Sequence, residues 1–178
     1  MPVLSANRLS KAFGGLEAVR DLNITLEHGE LVGLIGPNGA GKTTVFNLLT
    51  GVYVPTSGEI ILEERNLIGL KPFQITALGI ARTFQNIRLF NDLTVLDNVR
   101  IAMHWHESYP LVSALLRLPK HSKQETEIIT KSEELLEIFN LLDKKNELAK
   151  NLPYGDQRRL EIARAVAAKP KVLLLDEP

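Results

Sequence analysis

The chain has 178 residues, with hydrophobic side chains at 44% and charged ones at 24%, which suits one folded domain at the usual ~150 residues per domain and excludes a disordered tract. It has no cysteine, which excludes a disulfide scaffold, thiolate-held zinc or iron–sulfur clusters and thiol chemistry, and suits a reducing compartment. Lys and Arg number 21 against 21 Asp and Glu, so the positive excess of a dedicated nucleic-acid binder is missing and no nucleic-acid partner is expected. The apolar runs fall short of the ~18 residues that a membrane-spanning helix needs, and no apolar leader opens the chain, so a cytoplasmic protein is expected.

In chain order, Leu22, Ile24 and Leu26 alternate with Asp21, Asn23, Thr25 and Glu27, the period of two that marks a half-buried strand. Leu31 to Ile35 is an unbroken apolar run and predicts a strand covered on both faces. After a glycine-rich turn, Thr43 to Thr50 predicts a helix with Val45, Leu48 and Leu49 on one face, stopped at Gly51. Pro55-Thr56-Ser57-Gly58 is a turn and Glu59 to Leu62 a strand. Pro72 opens a helix that Gly79 closes, and Ile80 to Phe84 is a further strand.

The middle of the chain changes character. Thr94-x-x-Asp97 caps a helix on which Leu96, Val99 and Met103 share a face, for packing in a helical core or against a membrane partner. Beyond a linker with Pro110 and Pro119, Ser122-x-x-Glu125 opens a second helix running to about Phe139. No strand is expected between Asn86 and Lys171. Asp156 to Ala168 predicts a helix, Lys169-Pro170-Lys171 breaks it, and Val172 to Leu175 is a buried strand. The pattern is an α/β core with a helical insertion of roughly 70 residues. Glu133-Glu134 and Lys144-Lys145 read as solvated helix faces. His104 and His106, two apart on a helix, point to different faces, and no metal site is expected there.

Gly36-Pro37-Asn38-Gly39-Ala40-Gly41-Lys42-Thr43-Thr44 fits G-x-x-x-x-G-K-[ST] between the expected strand and helix. Glycines let successive N–H groups line one concavity that holds phosphate oxygens, and the helix aims its partial positive charge at the same place. Lys42 reaches the β- and γ-phosphates of a nucleotide, and the Thr43 hydroxyl suits magnesium. The bland alternative is a glycine-rich turn with an exposed lysine. A second motif is Val172-Leu173-Leu174-Leu175-Asp176-Glu177-Pro178, a buried strand ending in carboxylates. There Asp176 suits a second-shell place on magnesium and Glu177 a base for an attacking water; the alternative is an ordinary acidic turn.

Between the two motifs lie Gln85, after Ile80–Phe84, and Asn151-Leu152-Pro153-Tyr154-Gly155-Asp156-Gln157-Arg158-Arg159, heading a helix. Together, and in this order, the four resemble the ATP-binding subunit of an ABC transporter. Phe13-Gly14-Gly15-Leu16, Ala81-Arg82-Thr83-Phe84-Gln85-Asn86-Ile87-Arg88-Leu89-Phe90 and Tyr154-Gly155-Asp156-Gln157-Arg158-Arg159-Leu160-Glu161-Ile162-Ala163-Arg164 resemble more narrowly the importers of branched-chain amino acids. The resemblance covers essentially the whole chain. It implies an α/β P-loop NTPase (ABC ATPase) core with a helical subdomain and a small antiparallel β N-terminal segment. One ATP-binding domain would span 1–178, with 1–85 and 159–178 as core and 86–158 as the helical subdomain with the signature.

The resemblance also implies ATP and Mg2+ as ligands, hydrolysis of ATP, and two such subunits closing face to face, in a homo- or heterodimer. It implies membrane permease subunits as partners, an external solute-binding protein indirectly, and a peripheral place on the cytoplasmic face of the inner membrane. Gly36, Pro37, Asn38, Gly39, Ala40, Gly41, Lys42, Thr43 and Thr44 would hold the phosphates of one nucleotide, and Tyr154, Gly155 and Asp156 would meet the nucleotide of the opposite subunit. Thr43, Gln85 and Asp176 would hold the metal, Glu177, Lys42 and Gln85 would serve catalysis, and Phe13 would stack on adenine. The bland readings are a helix cap for Asp156, polar surface for Gln85 and core packing for Phe13.

Two departures stand out. Pro153 occupies the place of a serine before the signature glycine pair, and it has neither hydroxyl nor N–H. The family also continues for several tens of residues with a histidine that senses the γ-phosphate, and none of His28, His104, His106 or His121 stands in its place, so a C-terminally truncated chain is expected. Other readings are a soluble ABC-type ATPase acting on ribosome or nucleic acid, a nucleotide kinase sharing only the phosphate loop, and a nucleotide-binding fragment without turnover.

Overall fold

The computed structural model of the chain describes residues 1–104 and 119–176, with side chains throughout except at 119–123. The chain divides into two compact units, Met1–Arg82 and Thr83–Pro178.

The first unit is built on strands β1 (Leu4–Phe13), β2 (Leu16–Leu26), β3 (Ser57–Leu62) and β4 (Arg65–Asn66). They form an antiparallel sheet in the order β2-β1-β3-β4. The hairpin registers Leu4 against Leu26 and Phe13 against Leu16. Along β1 the inward positions are Leu4, Ala6 and Leu9, which breaks strict alternation. An irregularity between Ala6 and Leu9, where Arg8 has a positive φ of 47°, absorbs the extra residue and turns Leu9 back to the core. The Arg8 N–H then donates to Asn23 Oδ1 at 2.9 Å instead of to a ladder carbonyl.

Helix α1 (Lys42–Leu49) buries Val45, Leu48 and Leu49, the three residues that helical spacing puts on one side. Helix α2 (Pro72–Leu78) begins with Pro72 in its first turn, is capped by Gln74 Oε1 accepting from the Lys71 N–H at 2.9 Å, and stops at Gly79. Strand β5 (Ile80–Arg82) follows at once, shorter than the Ile80–Phe84 expected. Arg82 donates to Asn47 Oδ1 at 2.7 Å, and its guanidinium lies 5.4 Å from the centre of the Phe46 ring, which ties β5 to α1. Leu4, Leu9, Leu48, Ile60, Leu67, Ile75 and Ile80 are fully buried at the centre of this unit.

Leu31 to Ile35 departs from expectation. It forms no strand, and Leu31 and Ile35 are 95% and 96% exposed. An apolar run without alternation becomes a strand only when neighbouring strands supply ladder bonds and cover. Among the described residues none pairs with it.

The second unit is helical, with one strand. Helices α3 (Val95–His104), α4 (Pro119–Ile138) and α5 (Tyr154–Ala167) surround Val95, Val99, Leu136, Leu141, Ala149, Leu152, Leu160, Ala163 and Ala167, and β6 (Val172–Leu174) follows. The cap expected at Thr94 is formed: Thr94 Oγ1 accepts from the Asp97 N–H at 3.0 Å. Val99 is buried in this cluster and Leu96 and Met103 pack against it, so the α3 stripe serves the helical core. Arg100 bridges Asp97 at 3.0 Å and Glu125 at 2.9 Å, holding α3 to α4.

Of the charged pairs, Glu134 is exposed as expected, and the other three depart from the solvated-face reading. Lys145 pairs with Glu133 at 2.7 Å and Lys144 with Asp156 at 2.5 Å, because the turn after α4 swings both ammonium groups onto neighbouring helices. Trp105, His106 and Pro110 lie outside the described residues, as do the side chains of His121 and Ser122. Among the described residues no helix is long and apolar enough to cross a membrane.

Candidate nucleotide-binding site

The glycine-rich loop stands in the first unit, at the start of α1. Gly41 caps the helix with φ 87°, a left-handed conformation that only glycine adopts without strain. Val45 N–H then donates to Gly41 O at 2.9 Å, so the helical ladder begins within the loop. Ala40 N–H donates to Pro37 O at 3.1 Å and closes the turn before it. No side chain caps this terminus and its first turn has no acidic residue. The N–H groups of Lys42, Thr43 and Thr44 therefore have no helical carbonyl to bond and suit an anion.

Lys42 folds back over its own loop, donating from Nζ to Gly36 O at 2.5 Å and to Pro37 O at 3.0 Å. Its ammonium is thereby held at the mouth of the loop, where a phosphate oxygen would replace the neutral carbonyls with a stronger, charged acceptor. Thr43 is exposed, with its hydroxyl on the first helical turn. These donors fit a polyphosphate, and a hydroxyl oxygen beside it fits a hard divalent cation.

Phe13 ends β1 and is 42% exposed, which sets aside the core-packing reading. Its ring meets the edge of Tyr53 with centroids 5.2 Å apart, and Lys11 Nζ lies 5.1 Å from its centre. Lys11 is itself anchored to Val54 O at 2.7 Å. Tyr53, unremarked in the sequence, thus steadies an aromatic platform that stays open to solvent.

The second unit carries Gln85 and Asp176. Asp176 is buried just past β6, and its N–H donates to Thr83 Oγ1 at 3.2 Å. Thr83 N–H in turn donates to Leu174 O at 3.0 Å. These bonds lock the strand end beside the segment that leads into Gln85, whose side chain is exposed. Glu177, expected as the base, lies outside the described residues.

Glu161 and Arg158, quoted in the sequence without a role, form a buried ion pair at 2.9 Å within α5. Glu161 also accepts from the Arg88 N–H at 3.2 Å and, at 3.5 Å, from the Phe84 N–H, while Arg158 donates to Phe84 O at 2.6 Å. The available signal was a carboxylate set among Leu160, Ile162 and Ala163, where a helix turns its apolar side inward.

At the start of α5 the backbone leaves Pro153 at φ −54° and the helix begins at Tyr154, two residues before the expected Asp156. Pro153 has no side-chain cap to offer, and its carbonyl accepts from Asp156 and Gln157 N–H at 2.9 and 3.0 Å. Tyr154 and Gly155 are exposed, and a Cβ at Gly155 would meet nothing. Asp156 is not the cap but the third helical residue, and its carboxylate is buried between Lys144 and Arg159. The surface this terminus offers to an anion is therefore the backbone of Tyr154 and Gly155.

The hydrogen bond from Lys144, followed by that from Arg159, holds the Asp156 carboxyl below its usual range, and the same contact with Asp156 raises Lys144. A carboxyl with a lowered folded value stabilises above its unfolded value, and that stability is lost as pH falls through the folded one. For Lys144 the stability is present below its unfolded value and lost as pH rises through the raised one. The triad therefore supports the helical unit between about pH 4 and about pH 10. Melting followed by circular dichroism from pH 5 down to pH 2 should show a steeper loss in the wild-type chain than in Asp156→Asn. Parallel acid limbs would remove the triad from the acid response.

The ABC transporter family model matches residues 19–178. The high-affinity branched-chain amino acid transport ATP-binding protein LivG of Escherichia coli K12 is 49% identical over 177 residues, 99% of this chain and 69% of the relative. Among solved structures, a nucleotide-free ATP-binding cassette from an ABC transporter superposes with a TM-score of 0.79 at 30% identity, covering 100% of this chain and 70% of that one. A dimeric post-hydrolysis ATP-binding cassette bound to ADP and Pi superposes with a TM-score of 0.79 at 25% identity, covering 98% of this chain and 74% of that one.

Proposed function

Since the chain belongs to the ABC transporter family, we propose that it is the ATP-binding subunit of an importer of branched-chain amino acids, the role that LivG's name carries. The observation that carries this reading is the Lys42 ammonium held over Gly36 and Pro37 at the open N-terminus of α1. Residues 36–44 grip the triphosphate through loop N–H groups and Lys42, and Phe13 stacks on the adenine. In this proposal Thr43, Gln85 and Asp176 would hold the metal, Asp176 from its second shell, and Glu177 would take a proton from the attacking water. Magnesium, when bound, neutralises charge on the phosphate oxygens.

Tyr154 and Gly155 meet the nucleotide of a second such subunit through backbone N–H groups. Asp156 sets the helix rather than touching phosphate. With Pro153 in place of a hydroxyl, this contact is weaker than a serine would give. Residues 1–85 with 159–178 serve as the catalytic core and 86–158 as the helical subdomain. The subunit sits peripherally on the cytoplasmic face of the membrane against its permease, and an external solute-binding protein delivers the cargo.

The test is purification from detergent followed by reconstitution. The chain should co-purify with a polytopic permease, and the reconstituted complex should take up leucine only with ATP. Sedimentation with ribosomes in place of the permease would overturn the reading, and a complex that moves another solute class would overturn the cargo.

A further inference from the structure

We propose that Glu161 and Arg158 are positioning residues for Gln85, clamping its backbone to the helix that begins at Tyr154. The inference rests on the proposed role of Gln85 at the metal. Gln85 sits in a stretch without regular structure. The residue before it is held by both of its backbone polar groups: Arg158 Nη1 donates to Phe84 O at 2.6 Å, and Phe84 N–H reaches Glu161 Oε1 at 3.5 Å. Three residues after Gln85, Arg88 N–H donates to the same Oε1 at 3.2 Å, and the Arg88 guanidinium lies 4.2 Å from the centre of the Phe84 ring. One buried carboxylate thus gathers both ends of the turn that displays Gln85.

The far end of the segment is fixed as well. Asn98, fully buried in α3, accepts from Phe90 N–H at 3.0 Å and donates to Phe90 O at 3.1 Å. A buried carboxylate is costly unless its oxygens are bonded, and Glu161 meets that condition with Arg158 and the two backbone N–H groups. Arg158 Nη1 donates to Oε2, and the backbone bonds go to Oε1. Those backbone bonds flank Gln85, and they make its place follow that of α5. Misplacement by about 1 Å costs up to 10²-fold in a positioned group's effect, so the clamp is measurable.

Two measurements on the ATP-loaded chain test this. Amide hydrogen exchange reads the clamp directly: Glu161→Ala should speed exchange at Phe84 and Arg88 at least tenfold while Val99 and Leu136 keep their protection. Glu161→Gln, which keeps an acceptor and the fold, should give an intermediate rate. Unchanged exchange at Phe84 and Arg88 in Glu161→Gln and Glu161→Ala overturns the clamp. Mn2+ titration by electron paramagnetic resonance reads the positioning. Glu161→Ala and Gln85→Ala should each weaken Mn2+ binding by similar factors, and the double variant should be no weaker than Gln85→Ala. Additive losses overturn action through Gln85. A Gln85→Ala chain that holds Mn2+ as well as wild type removes Gln85 from the metal, and the positioning role with it, while nucleotide uptake by the same sample leaves the family reading standing.

Discussion

Lys42→Ala should weaken ATP binding about 10- to 10²-fold, measured by calorimetry on folded chain. The size follows from an exchange of partners. The ammonium gives up two loop carbonyls, Gly36 O at 2.5 Å and Pro37 O at 3.0 Å, for ionised phosphate oxygens. Both sets of bonds have an ionised donor, but only the phosphates add an ionised acceptor, and losing that contact at roughly 1.5–3 kcal/mol corresponds to about 10- to 10²-fold in affinity. The variant should keep its fold, because Lys42 lies at the rim of the core and Val45, Leu48 and Leu49 remain to seat α1. A folded Lys42→Ala chain with wild-type affinity would remove the loop from nucleotide binding, and with it the proposed function.

What was legible in the sequence is what neighbours decide. The cap at Thr94 and the stop at Gly79 each depend on residues within four positions and are formed as the spacing predicts, while α1 starts one residue before the expected Thr43. Leu31 to Ile35 departs from its pattern because a strand is not a local object, and its ladder must come from elsewhere in the chain. Strand β1 was hidden for a different reason. The irregularity at Arg8 shifts its inward positions out of phase, so no window of strict alternation runs through it.

The candidate site divides in the same way. Residues 36–44 are contiguous and their chemistry can be read in order. Glu161 bonds to backbone 77 and 73 residues away, at Phe84 and Arg88, and no spacing rule connects them. Asp156 shows the limit of a motif. Its place at a helix start was legible, but Lys144 enters from a turn 12 residues earlier and takes one of its oxygens. Phe13 could not be assigned from its type, since aromatic rings serve cores and binding platforms alike. Only its exposure beside Tyr53 separates the two.

The sharpest backbone prediction contrasts two glycines of the same loop. Gly39 and Gly41 both have positive φ, 83° and 87°, so an alanine at either place carries left-handed strain of ~1–2 kcal/mol. Their surroundings differ. A Cβ at Gly39 meets nothing within 4 Å, whereas one at Gly41 would lie 2.4 Å from the Ala18 carbonyl oxygen. That oxygen belongs to β2 at the irregularity where Ala18 is left unpaired between Val19, opposite Lys11, and Glu17, opposite Ala12, so its neighbours on both sides are held by β1. Overpacking of this kind adds ~1–3 kcal/mol, so Gly41→Ala should cost about 2–5 kcal/mol in all against about 1–2 for Gly39→Ala. Relief of the clash must push the start of α1 away from β2, and this moves the Lys42, Thr43 and Thr44 N–H groups together. Gly41→Ala should therefore lose ATP uptake even where it remains folded, as denaturant titration and calorimetry on one sample would read. Equal stability losses from the two substitutions would mean that the loop does not rest on β2.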